Sequence, residues 1–303
     1  MNKKLLKIAE IGMTHDGSFG LAKKLTLGAV KSGANVVKYQ CHIPEFETTR
    51  NAPSPYYFRD ENRFEYFERT KFSYNQFQKL HILCHELGVY SCISPFSIEA
   101  AEMCIDIGFD YIKIASGEVT NMPLIDFLAK KKNLKIIMSS GMSSIDEISR
   151  SLNKLKNHKE FYLLQCSSIY PCPPEKSGLN LIEFFKKKFK VNVGLSDHTI
   201  TDATSVAAAA IGACVIEKHF TLSKDLYGPD ASFSLNPEKQ QPSGSCNMSK
   251  FANINLHLDY NTINHSKIDF IQYAISSNYI SFDSIICWSD FGYFNLSFLH
   301  RLM

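Results

Sequence analysis

The sequence predicts an α/β protein, a (β/α)8 TIM barrel. Three observations carry that prediction. Short β-branched runs alternate with helical patterns from residue 7 to residue 219, and the runs number eight. The runs are almost continuously apolar, as strands of a parallel sheet buried on both faces must be. Polar side chains gather at the C-terminal end of nearly every run, the end where α/β proteins build their sites. An open doubly wound sheet of eight strands is the alternative that this pattern leaves standing.

The strand candidates are Lys7–Gly12, Asn35–Gln40, Val89–Ser94, Asp110–Ala115, Leu134–Ser139, Phe161–Cys166, Val191–Ser196 and Ala213–Lys218. Helical patterns fill most of the intervals: Leu21–Lys31, Tyr74–Leu87, Ile98–Ile107, Met122–Lys131, Ser144–Leu155, Leu179–Lys188 and Asp202–Ile211. Gly33, Gly88, Gly108 and Gly212 follow helices where a left-handed C-cap is wanted. The Phe58–Phe72 stretch has no clear period and reads as a long loop between the second strand and its helix, covering the barrel mouth.

With 303 residues, 45% hydrophobic and 21% charged, the chain has ordinary globular composition and enough length for one large domain. A net charge of +3 gives no footing for nucleic-acid or membrane binding. The N-terminus opens like a signal peptide, but Lys7 and Glu10 interrupt its apolar core. No stretch approaches the roughly 20 apolar residues that span a bilayer. The nine cysteines form no C-x-x-C pair, and those in apolar runs read as small buried hydrophobes. A cytoplasmic protein is expected.

The strand ends supply Glu10 and His15; Lys38, Gln40 and His42; Ser94; Lys113, Ser116 and Glu118; Ser139 and Ser140; Gln165, Ser167, Ser168 and Tyr170; Asp197 and His198; and Glu217, Lys218 and His219. His198 and His219 close consecutive strands, so both imidazoles emerge at one end of the sheet, each beside a carboxylate, Asp197 or Glu217. That suits a divalent metal or acid–base work. A metal held by two neutral imidazoles keeps open positions and can polarise a carbonyl. Glu10 and Glu217 are the nearest proton-transfer candidates.

Lys38 and Lys113 lie inside apolar strands, where a lysine without an anionic partner is costly. Either could form a Schiff base, or pair with an internal carboxylate. Together with Ser116, Ser139 and Ser140 they suggest a site for phosphate plus carboxylate. Anion site, metal and carboxylates point to carbon–carbon bond formation between a phosphorylated carboxylic acid and an aldehyde. His81 and His85 stand four apart on a helix, but Leu83 and Leu87 mark that helix as core-facing and no third ligand is evident.

The segments Ile8-Ala9-Glu10-Ile11-Gly12, Val36-Val37-Lys38-Tyr39-Gln40, Ser94-Pro95-Phe96, Lys113-Ile114-Ala115-Ser116-Gly117-Glu118, Ser139-Ser140-Gly141-Met142, Ile169-Tyr170-Pro171, Gly194-Leu195-Ser196-Asp197-His198-Thr199, Glu217-Lys218-His219-Phe220-Thr221 and Gly228-Pro229-Asp230 resemble the sialic acid synthase family, the N-acetylneuraminate synthases. The resemblance runs in order from about residue 7 to 239. It implies a barrel that condenses phosphoenolpyruvate with N-acetylmannosamine or a related acylamino sugar and releases phosphate. It implies Mn2+ on His198 and His219. It implies phosphoenolpyruvate on Lys38, Lys113, Ser116, Ser139 and Tyr170, and contacts from Glu10, Glu217 and Asp230 to substrates or water. Gln40 and Ser168 join the substrate-binding set. Family members usually carry Asn where Thr14 and Ser168 stand.

The expected organisation is a barrel domain over 1–239 and a tail over 240–303. An eighth barrel helix could begin at Pro237, but Pro242-Ser243-Gly244-Ser245 breaks it. The family continues into a small antifreeze-like domain that places an arginine in the partner's active site within a homodimer. Nothing in the tail matches that domain, so the tail reads as irregular and poorly structured, as a frameshift or fusion would leave it. Ile268, Ile271, Ala274 and Ile275 suit one helical face as a substitute. The alternative function is a catalytically silent barrel that keeps the substrate and metal site.

Overall fold

The computed structural model describes residues 5–53 and 61–237. Eight parallel strands close into a barrel in sequential order. They are β1 (Leu6–Gly12), β2 (Val36–Cys41), β3 (Tyr90–Pro95), β4 (Tyr111–Ile114), β5 (Lys135–Ser139), β6 (Glu160–Cys166), β7 (Asn192–Asp197) and β8 (Val215–His219). β1 pairs with β8 as well as with β2, so no edge remains and the open-sheet alternative is excluded. The helices are α1 (Phe19–Lys31), α2 (Pro44–Glu47), α3 (Arg63–Thr70), α4 (Tyr74–Glu86), α5 (Ile98–Ile107), α6 (Met122–Lys130), α7 (Ile145–Leu155), α8 (Asn180–Phe189) and α9 (Ala203–Ala210). Short 3-10 turns sit at Ser116–Glu118, Pro174–Lys176 and Ala231–Phe233. Among the described residues no helix is long and apolar enough to cross a membrane. The tail expectations, including the helical face at Ile268–Ile275, lie outside the described residues.

Local chemistry sets the helix ends. Ser73 and Ser144 form capping boxes with Gln76 and Glu147, each satisfying two otherwise unpaired N–H groups. Gly108 ends α5 at φ +92°, a left-handed conformation that costs a side chain-bearing residue energy. The Phe58–Phe72 interval is not wholly loop: α3 occupies Arg63–Thr70, opened by a capping box between Asn62 and Glu65. It buries Phe64, Tyr66, Phe67 and Thr70, a face too broad to give a narrow apolar stripe.

Alternation along the strands divides the barrel into two apolar regions. Outward residues such as Ala9, Val37, Ile93, Ile112, Leu163 and Ile216 pack beneath the helices. Inward residues Ile8, Val36, Cys92, Tyr111, Ile137, Tyr162, Leu164 and Val215 fill the barrel itself. β7 contributes Gly194 to this inner layer; a Cβ there would lie 2.7 Å from Leu164 Cδ2 and equally close to Val215 Cβ. Two residues further along each strand, still facing inward, the apolar layer gives way to Glu10, Lys38, Ser94, Lys113, Ser139, Cys166, Ser196 and Glu217.

Past β8 the chain folds back onto the mouth. Phe220 bridges to Leu235, with Thr221 N donating to Leu235 O at 2.7 Å and Leu235 N to His219 O at 2.8 Å. The intervening loop brings Asp230 and Phe233 over the barrel.

Candidate active site

The floor of the mouth is an ionic layer. Glu217 Oε1 lies 3.1 Å from Lys113 Nζ and 3.3 Å from Lys38 Nζ, and accepts a hydrogen bond from Ser196 Oγ at 3.0 Å. Lys38 Nζ also lies 3.2 Å from Glu10 Oε2. All four charged side chains are buried. Burial alone would raise the Glu217 carboxyl, but the two ammonium groups outweigh it and hold Glu217 far below the usual carboxylate range. Burial would likewise lower Lys38, yet Glu10 and Glu217 hold its ammonium above its ordinary value. Lys113 is pulled down by burial, which its single carboxylate partner does not offset. Glu10 is raised, chiefly by burial and then by the Glu217 charge, against the pull of Lys38. Lys38 and Lys113 have thus each found an internal carboxylate.

Glu10 is steered from the side. Gln40 Nε2 donates to Glu10 Oε1 at 2.7 Å, and Gln40 Oε1 stands 3.0 Å from His42 Nε2. β1 carries an irregularity between Glu10 and Gly12, where Gly12 takes φ +54°. A Cβ on Gly12 would lie 2.7 Å from Asp230 Oδ2, so the missing side chain is what admits Asp230. Burial, then the Glu10 charge, raises the Asp230 carboxyl to about 6.

The two strand-end histidines face one another, ring centroids 5.5 Å apart. His198 Nδ1 donates to Ser167 O at 2.9 Å, which leaves the lone pair on Nε2. His219 Nδ1 is buried without a hydrogen-bond partner among the described residues, 3.7 Å from Asp230 Oδ2. Burial and then the neighbouring His198 push the His219 imidazole well down, toward the neutral form that ligates metals. The Tyr170 ring lies tilted against His198, centroids 4.1 Å apart, and Phe233 lies 5.1 Å from the His219 ring.

A third group of polar atoms surrounds Gly141. A Cβ there would clash with Ser168 Oγ and lie 2.6 Å from Ser116 Oγ. Ser139 Oγ and Ser168 Oγ are buried without hydrogen-bond partners among the described residues. Ser116 Oγ donates to Cys166 Sγ at 3.3 Å. Burial opposes ionisation of the Cys166 thiol, but the hydrogen bond and charge of His198, with Ser116 and Lys113, together outweigh it and the thiol falls to about 7.

The chain as a whole has relatives among known proteins. The NeuB family model matches residues 26–242. The chain belongs to the NeuB family. N,N'-diacetyllegionaminic acid synthase of Campylobacter jejuni is 38% identical over 246 residues, which cover 78% of this chain and 73% of that protein. N-acetylneuraminate-9-phosphate synthase of Mus musculus is 35% identical over 236 residues, 76% of this chain and 66% of that protein. Among solved structures, the N-acetylneuraminic acid synthetase of Leptospira borgpetersenii, in complex with citrate, superimposes with a TM-score of 0.70 at 26% identity. That match covers 90% of this chain and 85% of that one. The NeuB relatives are thus sugar-acid synthases whose named products differ.

In this NeuB chain the twelve residues that the sequence offers as catalytic, substrate-binding or metal-holding candidates stand at the mouth: Glu10, Lys38, Gln40, Lys113, Ser116, Ser139, Ser168, Tyr170, His198, Glu217, His219 and Asp230. Asp197 and Lys218 do not belong with them. They point outward and pair with each other at 2.8 Å beneath α9, where Ser205 Oγ also donates to Asp197. Period-two alternation dictates this: if Ser196 and His198 face in, Asp197 faces out. Cys166 and Ser196 are site neighbours that the sequence reading passed over. Cys166 ends its strand immediately before Ser167 and Ser168, which was the available signal.

Proposed function

We propose that the protein condenses phosphoenolpyruvate with N-acetylmannosamine or a related acylamino sugar, giving a sialic-type acid and phosphate. The observation that supports this reading is the ionic layer: two buried ammonium groups and two buried carboxylates beneath a pair of facing imidazoles, alongside serine hydroxyls that have no hydrogen-bond partner among the described residues.

Lys38 and Lys113 supply positive charge for the phosphate and carboxylate of phosphoenolpyruvate, and Ser116, Ser139 and Ser168 supply oriented O–H donors. The donor set fits a divalent ion, Mn2+ in this reading: His198 would offer Nε2 in place of its hydrogen bond with Cys166, and His219 has a buried nitrogen with no hydrogen-bond partner among the described residues. Such an ion, held by His198 and His219, would polarise the sugar aldehyde. Carbon 3 of phosphoenolpyruvate forms the new bond to the aldehyde carbon, whose oxygen takes up a proton. Water adds at carbon 2, giving up one proton, and the tetrahedral carbon expels phosphate as its hydroxyl loses the second proton and the keto group forms.

Glu10 is placed for that proton traffic. Burial raises its carboxyl above the ordinary value, which favours proton uptake, and an incoming polyanion pushes it further toward the protonated form. Gln40 holds its carboxyl in place. Glu217 stays ionised and keeps the two ammonium groups aimed into the mouth. Tyr170 and Phe233 form an apolar wall beside the imidazoles.

Phosphate release from phosphoenolpyruvate by the purified chain tests the proposal. Release that requires both N-acetylmannosamine, or another member of an acylamino-sugar panel, and Mn2+ supports it. A borohydride-trapped pyruvate adduct on Lys38 or Lys113 would replace it with Schiff-base chemistry. Absence of release with every sugar, from folded protein, would favour the silent barrel.

A further inference from the structure

A second cluster of ligating side chains lies at the opposite end of the barrel. His81 and His85, four apart on α4, present their rings on one side of the helix with centroids 4.4 Å apart. Asp110 immediately precedes β4 and Ser91 is the second residue of β3, so both belong to the N-terminal rim. A nitrogen of each imidazole and a carboxylate oxygen of Asp110 lie within 4.8 Å of one another.

The surrounding hydrogen bonds arrange these groups as ligands. Asp110 Oδ2 accepts from Ser91 N at 2.8 Å, Ser91 Oγ at 2.9 Å and His85 Nε2 at 2.9 Å. Ser91 has one hydroxyl proton, and it goes to Asp110. His81 Nδ1, 2.8 Å from Ser91 Oγ, is therefore the donor of that pair. The His81 lone pair is left on Nε2, and Ser91 becomes the outer support that fixes both a ring tautomer and a carboxylate. Burial and then His85 push the His81 imidazole down, and the hydrogen bonds from Ser91 outweigh burial to hold Asp110 low. His85 is half exposed, at 51%, so an ion has a path in from solvent.

We propose that His81, His85 and Asp110 form a second divalent-metal site, for an ion of the Zn2+ class, that ties α4 to the entry of β3 and β4. Two imidazoles and one carboxylate match the nitrogen-and-oxygen set such ions prefer, with a water as fourth ligand. The ion takes the place of the His85 proton now shared with Asp110. The site is separate from the mouth: Ser91 and Ser94 lie three residues apart along β3, about 10 Å at 3.3 Å per residue. Its role is to fasten the helix, because no group of the mouth reaches it.

The test is equilibrium dialysis and thermal unfolding of the tag-free full chain with Zn2+ alone. His198→Ala serves as the background that removes the mouth site. In that background Zn2+ is expected to bind and to raise the Tm. Adding His85→Ala, or separately His81→Gln, should weaken this binding at least about tenfold and abolish the Tm shift. Zn2+ uptake and Tm response that are the same with and without His85 and His81 would overturn the proposal. Because the readouts are binding and stability, the result is independent of whether the mouth condenses any sugar.

Discussion

Gln40 hands its amide N–H to Glu10, Nε2 to Oε1 at 2.7 Å, and so fixes which way both groups point. With Nε2 spent on a carboxylate, Gln40 Oε1 must accept from His42 Nε2, 3.0 Å away. His42 in turn reaches Glu47 Oε1 through Nδ1 at 2.8 Å. Its ring is clamped between Phe67 at 3.8 Å and Phe96 at 4.2 Å. His42 is thus a positioning residue for Glu10. His42→Phe keeps the stack and removes the hydrogen bonds. The expected outcome is a lowered thermal midpoint, because the buried Glu47 carboxylate loses its partner, with kcat for phosphate release lowered about tenfold to a hundredfold in the folded variant and a smaller change in KM for phosphoenolpyruvate. Steady-state kinetics beside a melting curve read both.

Gly141 leaves the space that the serine cradle encloses. Gly141→Ala would push a methyl group onto Ser116 and Ser168. The expected effect is on ground-state binding of the anion. KM for phosphoenolpyruvate should rise about tenfold or more, while metal affinity, measured by Mn2+ titration, stays unchanged.

Lys113→Met tests the ionic layer through pH. Glu217 has a folded pKa below its unfolded value, so its contribution to stability is fully present above about pH 4.5 and is lost as pH falls through the folded pKa. Removing Lys113 weakens the cause of that depression. The variant should lose about 3–5 kcal/mol near pH 7, the cost of breaking a buried pair. The gap from wild type should narrow as pH falls below 4.5. Urea titrations at several pH values would show it, and a gap that widens in acid would contradict the assignment.

The outward pair behaves differently. Lys218 Nζ bonds Asp197 Oδ2 at 2.8 Å and Thr199 O at 2.7 Å, fully buried between β8 and α9. Lys218→Met leaves a buried carboxylate unpaired and should cost about 3–5 kcal/mol. Adding Asp197→Leu should recover much of that loss, because no lone charge remains. Denaturant unfolding of the two single variants and the double variant measures the coupling.

The eight strands lie within two residues of their sequence-based bounds, because each is an apolar run closed by a polar group, and that contrast needs no tertiary information. The helix α3 was not legible as a helix: it buries Phe64, Tyr66 and Phe67 on a broad face, and only its Asn62–Glu65 capping box betrays it. Site membership was legible for residues whose charge is anomalous in a strand, Lys38 and Lys113 above all. For Cys166 the signal lay only in its place at a strand end before Ser167 and Ser168, since its residue type reads as a small core residue, and Asp110 was not recognised as the partner of His81 and His85, being 25 positions from His85 in the chain.

The stacking of an ionic layer directly on an apolar one also has a consequence for assembly. A strand that slipped by two residues would keep every side chain on its proper face, so hydrophobic alternation alone does not forbid it. Slipping β2 in that way would carry Lys38 down to the level of Val36, among Ile8, Cys92 and Val215, with no carboxylate in reach. A lone ammonium there costs several kcal/mol. The charges at the mouth therefore act as registration pins: they select one closure of the barrel from a ladder of near-equivalent ones, before any ligand arrives.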